Sequence, residues 1–561
     1  MFVLAFFIGI YSYGIFALGL IGALTKINCI FLTIAWTILF LFFERKSLIT
    51  IFKRFFSVKI SKKILPLLFL LILFALQASV NLIGALGPEL AFDALWYHVT
   101  LPELYLLHHS IYHIQGSLLY YSDMPKLGEM LYVGALAIGN EITAKVIHFL
   151  FGILVSIALY KLSRKFFTKF VSLLIAVIFY SNLAVDWESI TAYIDLIRTF
   201  FEVLALWSFI EWSKQQKLKW LILSAVMTGF AITTKVLAIG NLIIFGLLII
   251  ITFMDSHFLR KGTSLFKVSY RKDKRKIINL FFQLFVYFFI ALLIPLPWFI
   301  FSFIHTGNPV YPFFTHQYEI APTTFGILSF FVGLWNLFMY SPDPISPIYL
   351  LFFPLIFVFY SRLEKEVKLI VLYCGFNLIL WYFTPQTGGG RFILPYLPAF
   401  SLVCGAIYSQ MLKNARIEWH YISKLLLVVI IFVSFISIGY RALANKKYLP
   451  VIIGTESKQT FLTNNLNFGF GDFYDTDGYF AKHLKPSDVV LLYGFHNLYY
   501  VDFPFIDNTW VKRGDMFDYI ATQNTTLPKR FKNWQLIYEN AKTMVHLYKA
   551  PFRECLTKCV Y

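Results

Sequence analysis

Residues 64–86 read ILPLLFLLILFALQASVNLIGAL, an uninterrupted apolar run of a length that few structures can use. A helix crossing about 30 Å of hydrocarbon needs roughly 20 such residues, because lipid offers no partner to an unpaired backbone amide. Twelve further stretches of this kind follow or precede it, at about 3–23, 28–43, 142–160, 170–184, 192–212, 218–234, 235–254, 277–300, 346–360, 367–384, 392–411 and 423–441. The chain therefore reads as a polytopic α-helical membrane protein with about 13 transmembrane helices. Its composition agrees: of 561 residues 58% are hydrophobic and only 14% charged, outside the range of soluble domains. The first run lacks a small-residue cleavage site after it and is expected to be a retained span.

A net charge of +19 would fit a nucleic-acid partner if it were spread over one surface, but it is not. Lys and Arg gather in alternate loops, at ERKSLITIFKRFFSVKISKK (44–63), KLSRKFFTK (161–169), SKQQKLK (213–219) and RKGTSLFKVSYRKDKRK (260–276). The positive-inside rule makes these loops cytoplasmic and excludes a nucleic-acid reading. The N-terminus is then cytoplasmic, the lipid bilayer is the chain's first partner, and the cytoplasmic membrane is its expected location. The loops at 87–141, 185–191, 301–345 and 385–391 face out, as does everything after residue 441.

Residues 1–441 form one transmembrane unit in this reading, with the long outer loop 87–141 attached. Within that loop WYHVTLPELYLLHHSIYHI carries aromatics and leucines at mixed helical spacing, as expected of interfacial helices. KLGEMLYVGALAIG (126–139) is too short to span and is expected to lie flat or re-entrant on the outer side. After Arg441 the apolar runs stop, and residues 442–561 read as a small α/β extracytoplasmic domain. Its expected elements are a helix over YDTDGYFAKHL, a buried strand at DVVLLYG (488–494), and alternating strands at NWQLIYEN and MVHLYKA. Five cysteines are too few for a disulfide framework. Cys555 and Cys559 could be bonded in an oxidising compartment, and two free thiols fit equally.

A charge inside a bilayer costs roughly 2.5–3.5 kcal/mol on insertion scales, so the retained ones need a reason. Asp93, Asp123, Asp186, Glu188, Asp195, Lys235 and Arg391 all map to the outer end. Asp186 and Glu188 read as solvated loop acids. Asp195, Arg198 and Glu202 lie on one helix face, where mutual neutralisation inside the bundle competes with a site role. His98, His108, His109 and His113 read as interfacial aromatics with wet tips, since their spacing matches no metal site. The D-x-D triplet at 475–477 matches a nucleotide-sugar motif but falls outside and at a helix start. Asp93, flanked by Phe92 and Trp96, has no such ordinary explanation. Lys235 in TTKVLA and Arg391 in GGGRFILPYLP sit in compact motifs.

A carboxylate opposed by a lysine and an arginine at a membrane surface suits transfer from a lipid phosphate. Cations take up charge as the leaving phosphate departs, and the carboxylate collects the acceptor's hydroxyl proton. Glycines before Arg391 allow close backbone approach, and the guanidinium offers a two-pronged fork to phosphate. Tyr97, His98, Asp123 and Asp195 are the further candidates for substrate contact.

FDALWYHVTLPELYLLHHSIY (92–112), DMPKLGEMLY, AYIDLIRTFF, TTKVLA, TGNPVYPF and GGGRFILPYLP resemble, in that order, landmarks of the bacterial GT-C glycosyltransferases. That family includes protein mannosyltransferase-like and aminoarabinose transferase-like membrane enzymes, and the resemblance runs from about residue 90 to 400. It implies a GT-C type fold, Asp93 as the catalytic aspartate, Lys235 and Arg391 as donor-phosphate contacts, and a polyprenyl-phosphate sugar as donor. Two departures stand out. Asp123-Met124-Pro125 replaces a His-Pro-Pro run, and no WWDxG motif is present, so no cofactor and no divalent metal is implied. A polysaccharide polymerase or ligase would share donor and compartment without these landmarks. A lipid-linked-sugar transporter would place its binding groups near the midplane on repeated broken helices, and neither feature is evident here.

Overall fold

The structure is a computed structural model that describes residues 1–56, 64–257, 270–315, 326–341, 344–384 and 386–555. Parts of the basic loops 44–63 and 260–276, and Cys559 of the tail, lie outside the described residues. Cys29, Cys374 and Cys404 are buried free thiols.

The apolar runs become helices, with local chemistry fixing their ends. Asn140 caps the Glu141–Ser163 helix by accepting from the Ile142 amide at 3.1 Å, and Thr168 caps Lys169–Tyr180 through the Val171 amide at 3.3 Å. Gln216 stops the Asp195–Gln215 helix in the left-handed region. Among the described residues seven helices are long and apolar enough to cross a membrane, from Phe2–Leu20 to Ile417–Ile452; several others are apolar but shorter. The expected span at 277–300 is broken: Tyr270–Leu293 ends before Pro295, and Leu296–Thr306 continues, because proline cannot supply the missing amide. A helix at Ile327–Met339 lies where the sequence reading placed only loop. Its 13 residues are apolar but fall short of a span, so length alone gave no signal.

The Asp195–Gln215 helix is the axis of the bundle and is buried nearly all round, packed by Leu218–Thr234 and Glu141–Ser163. Peripheral helices do the reverse. Lys26–Phe56 exposes Phe31 and Ile38, and Ile417–Asn445 exposes Val428 and Phe432, apolar faces that suit lipid. The Leu127–Ile138 helix is buried along its length, between the Phe2–Leu20, Lys26–Phe56 and Thr100–Leu107 helices. It is therefore inserted into the bundle and does not lie flat on a surface. Gly134 makes the insertion close: a Cβ there would stand 2.0 Å from the Tyr11 hydroxyl.

Asp186 and Glu188 are not solvated loop acids. The turn carrying them folds into a short helix, Leu183–Glu188, wedged against Leu65–Ala85 and Ile417–Asn445, and both carboxylates are fully buried. Asp186 accepts from Asn81 Nδ2 at 3.0 Å and from the Ser437 hydroxyl. Replacing Asn81 by alanine should remove about 1–3 kcal/mol by stripping a buried acceptor of its donor. Thermal melting of detergent-purified protein checks this; an unchanged melt would mean that the acid is reached by water.

The C-terminal part carries a five-stranded mixed sheet: β1 (Val490–Tyr493), β2 (Phe505–Asp507), β3 (Met516–Gln523), β4 (Gln535–Asn540) and β5 (Val545–Cys555), in the order β2-β1-β3-β5-β4. β1 is parallel to both neighbours, and β5 is antiparallel to β3 and β4. The sequence pattern marks β1, β4 and β5. It hides β2, which is three residues long, and β3, whose alternation is broken by a register shift between Phe517 and Tyr519. The expected helix over YDTDGYFAKHL shrinks to Tyr479–His483 because Gly478 sits in the left-handed region. Both acids of the triplet are taken up locally: Asp475 accepts from the Ala481 amide at 2.9 Å, and Asp477 from the Tyr479 amide at 3.1 Å.

Candidate active site

Asp93 stands at the head of a single wide helical turn, Ala94–His98, closed by the Val99 amide donating to the Ala94 carbonyl at 3.0 Å. Wide turns of this kind push side chains out of α-helical register. Here Trp96, Tyr97 and His98 fan out around the acid, and Tyr97 and His98 line the same cavity as Asp93. The Asp93 amide donates to the Tyr193 hydroxyl at 3.2 Å, which anchors the turn to the segment before the axial helix.

Arg391 arrives from 298 residues away. Its Nη1 donates to Asp93 Oδ2 at 2.6 Å, and its guanidinium lies 4.8 Å from the centroid of the Tyr193 ring. The glycine run before it is used: Gly389 adopts φ 53°, ψ −134°, a backbone open only to glycine, and the Gly390 amide donates to Ser341 at 3.1 Å.

Lys235 interrupts the two helices Leu218–Thr234 and Val236–Ile239 in an extended conformation, which throws its ammonium sideways. It donates to Asp195 Oδ1 at 2.7 Å. Asp195, fully buried, has its other oxygen 3.9 Å from Arg391 Nε, too far for a hydrogen bond. Of the three charged residues on the axial-helix face, only Arg198 and Glu202 neutralise one another. Arg198 turns to Glu202 at 2.6 Å and to the Tyr396 hydroxyl at 2.8 Å, while Asp195 serves Lys235. Among the described residues Arg391 Nε and Asp195 Oδ2 are buried polar atoms without a hydrogen-bond partner. Of the two, Arg391 Nε is a buried donor at the wall of the cavity and suits an incoming anion, whereas Asp195 Oδ2 is an acceptor and does not.

The cavity holds about 310 Å³ and is lined by Asp93, Tyr97, His98, Lys235, Arg391 and residues of the Met124–Glu129 segment. His98 is no wet-tipped interfacial ring. It is buried, with Nδ1 2.9 Å from Glu129 Oε1. Asp123 lies outside the cavity wall, fully buried, with His113 Nδ1 at 2.6 Å, the Ser122 hydroxyl at 2.8 Å and His305 at 3.8 Å. His113 is thus bound to an acid as well.

Two contributors were missed by sequence reasoning. Lys126, buried and donating to the Tyr121 carbonyl, adds a third cation to the cavity. Its neighbour Asp123 was singled out, yet a lone lysine before an apolar helix gives no signal of its own. His496, from the loop after β1, stacks on Phe92 at 4.6 Å and lies tilted against Trp96 at 4.5 Å, so the C-terminal part closes directly over the turn that carries Asp93. Nothing local in FHNLYY indicates this. An aromatic pair contributes about 0.5–1.5 kcal/mol beyond its buried area. His496→Ala is accordingly expected to destabilise the protein by about 1–3 kcal/mol for its two pairs and to speed proteolysis after residue 441. Unchanged proteolysis would show that this contact does not hold the C-terminal part in place.

A family model described as dolichyl-phosphate-mannose-protein mannosyltransferase matches residues 130–268, about a quarter of the chain. No curated protein sequence matches it. Among solved structures, ArnT from Cupriavidus metallidurans bound to undecaprenyl phosphate is 12% identical with a TM-score of 0.54, covering 85% of this chain and 97% of that one. The apo state of the same protein gives 12% and 0.53 with the same coverage. The Archaeoglobus fulgidus oligosaccharyltransferase in its apo form gives 12% identity and a TM-score of 0.45, covering 82% of this chain and 70% of that one. The chain has the ArnT-like GT-C fold, with a small sheet-bearing part at its C-terminus.

Proposed function

We propose that this chain is a membrane glycosyltransferase that moves a sugar from a polyprenyl phosphate to an acceptor hydroxyl on the extracytoplasmic face. The observation that carries the reading is that Asp93, Arg391 and Lys235 line one cavity, with the buried Asp195 behind them contacting Lys235 at 2.7 Å and lying 3.9 Å from Arg391. The ArnT fold, seen elsewhere with undecaprenyl phosphate bound, supports the choice of donor. The alternation of basic loops supports the choice of face.

The residues suggest a sequence of events. A donor phosphate competes with Asp93 for the Arg391 fork and with Asp195 for Lys235, and Lys126 lines the same cavity. When the donor phosphate draws Arg391 away, Asp93 Oδ2 is left open to the acceptor hydroxyl. The acceptor hydroxyl then gives its proton to Asp93 as its oxygen attacks the anomeric carbon. The bond from that carbon to the phosphate oxygen breaks, and the cations stabilise the charge left on the phosphate. Burial makes each of these interactions stronger than it would be in water.

The test is incubation of purified, reconstituted protein with a panel of labelled polyprenyl-phosphate sugars and membrane-extract acceptors. Transfer from one of them is expected, together with release of polyprenyl phosphate. Donor use only as a nucleotide sugar would overturn the reading. Transfer should persist in EDTA, because three side-chain cations carry the charge that a divalent ion would otherwise supply. Arg391→Lys should not restore what Arg391→Ala loses, since an ammonium offers a point charge where the fork is needed. Undecaprenyl-phosphate affinity of the two variants is the measurement, and equal affinity of Arg391→Lys and wild type would remove the fork from the argument.

A further inference from the structure

A second and larger cavity, of about 730 Å³, opens between the bundle and the C-terminal part. Its walls come from three places: the tip between the first two helices (Thr25–Ile27), the outer-loop residues Glu103 to Glu141, and a C-terminal face with Lys458, Tyr474, Tyr499, Tyr500 and Asp502. Its volume falls within the roughly 300–1,000 Å³ of small-molecule sites.

The lining divides into fixed and free groups. Glu141 is fixed: Lys458 lies at 2.6 Å, and the Tyr499 and Tyr500 hydroxyls donate to it at 3.2 and 3.4 Å. Glu103 and Asp502 make no ion pair or side-chain hydrogen bond to another residue among the described residues, and both face the cavity. The three tyrosines form an aromatic wall, with Tyr499 and Tyr500 ring centroids 5.0 Å apart and Tyr474 edge-on to Tyr500 at 6.0 Å. Three carboxylates and the two lysines Lys26 and Lys458 leave almost no net charge. Burial, with the Glu141 carboxylate second, pushes Glu103 up to about 8, so that near neutral pH it both donates and accepts. Beside Ile27, Leu106, Leu107 and Leu136, these carboxyl groups and tyrosine rings give the cavity apolar faces interleaved with hydrogen-bonding groups, and its opposed charges do not favour a strongly charged ligand.

We infer that this cavity is a saccharide site, in which unpaired carboxyl groups take hydroxyls and the tyrosine faces take the apolar C–H face of a neutral sugar. Tyr500 ties it to the reaction cavity: its hydroxyl donates to the Glu89 carbonyl at 3.0 Å, four residues before Asp93. Resting on the transferase reading, the inference assigns the cavity to non-reacting sugar units of a glycan acceptor. The acceptor is then an oligosaccharide and not a bare hydroxyl.

The experiment is native mass spectrometry of the full chain with free tetrasaccharides: chitotetraose, maltotetraose, a tetra-uronate and tetra-glucosamine. Binding of at least one of the two neutral members is expected, weakened tenfold or more by Glu103→Ala and by Asp502→Ala, with undecaprenyl-phosphate binding unchanged. No neutral member binding, binding indifferent to both variants, or preference for the uronate or the amine would overturn the inference. Binding lost instead in Lys235→Ala would relocate it to the first cavity and equally overturn it. If neutral saccharides bind as described while no polyprenyl-phosphate donor is used, the saccharide site stands and the transferase reading falls.

Discussion

Exchanging Asp93 for asparagine is expected to lower the rate of transfer by about 10²–10⁴-fold, the range supplied by a positioned general base. Donor affinity should not fall with it. Asparagine keeps the shape of the carboxylate but lacks the charge that holds Arg391 Nη1 at 2.6 Å, so the guanidinium becomes more available to phosphate. The variant therefore separates two roles. A base shows a lost rate at saturating donor with undecaprenyl-phosphate binding retained or tightened; a structural ion pair shows a lowered melting temperature with residual turnover in the folded fraction. Single-turnover transfer of a labelled donor, alongside thermal melting, distinguishes them, and undiminished turnover would end the assignment.

The second large effect is at Lys235. Its ammonium is 2.7 Å from Asp195, a fully buried carboxylate whose other cation, Arg391, stands off at 3.9 Å. Removing one partner of a buried pair costs about 3–5 kcal/mol, because the remaining charge is left in a poor solvent. Lys235→Met should thus lose both stability and donor binding. Pairing it with Asp195→Asn should recover much of the stability, since no uncompensated charge is then buried, while transfer stays low because the phosphate has still lost a cation. Recovery of transfer in the double variant would mean that Lys235 serves only to neutralise Asp195. A melt of the single variant equal to wild type would mean that water reaches the pair.

Much of the architecture was legible in the chain. Apolar length marked the helices, the alternation of basic loops gathered the ionisable residues at one end, and the compact motifs around Asp93, Lys235 and Arg391 singled out three groups that share one cavity wall. Errors arose where local pattern and tertiary packing part company. Asp186 and Glu188 lie between two apolar runs and look solvated, yet Leu183–Glu188 is turned inward and Asn81 and Ser437 satisfy Asp186. For Asp195, Arg198 and Glu202 the sequence left neutralisation and a site role open, and packing divides them: Glu202 takes the arginine at 2.6 Å while Asp195 meets Lys235 at 2.7 Å. His98 has the spacing of an interfacial ring and is drawn inside by Glu129 at 2.9 Å.

Sequence by itself determined what depends on the solvent and on neighbouring residues: a bundle of lipid-compatible helices, its ordering of basic loops, and a strand-forming tail. Hydropathy and period are local quantities, and a bilayer reads them directly. Only the tertiary structure decided which charges meet. The Asp93–Arg391 contact closes over 298 residues, the Lys235–Asp195 contact over 40, and His496 reaches Phe92 from the loop after the C-terminal sheet's first strand. Such pairings are set by how helices pack around the Asp195–Gln215 axis, a property of the assembled bundle that no stretch of the chain carries alone.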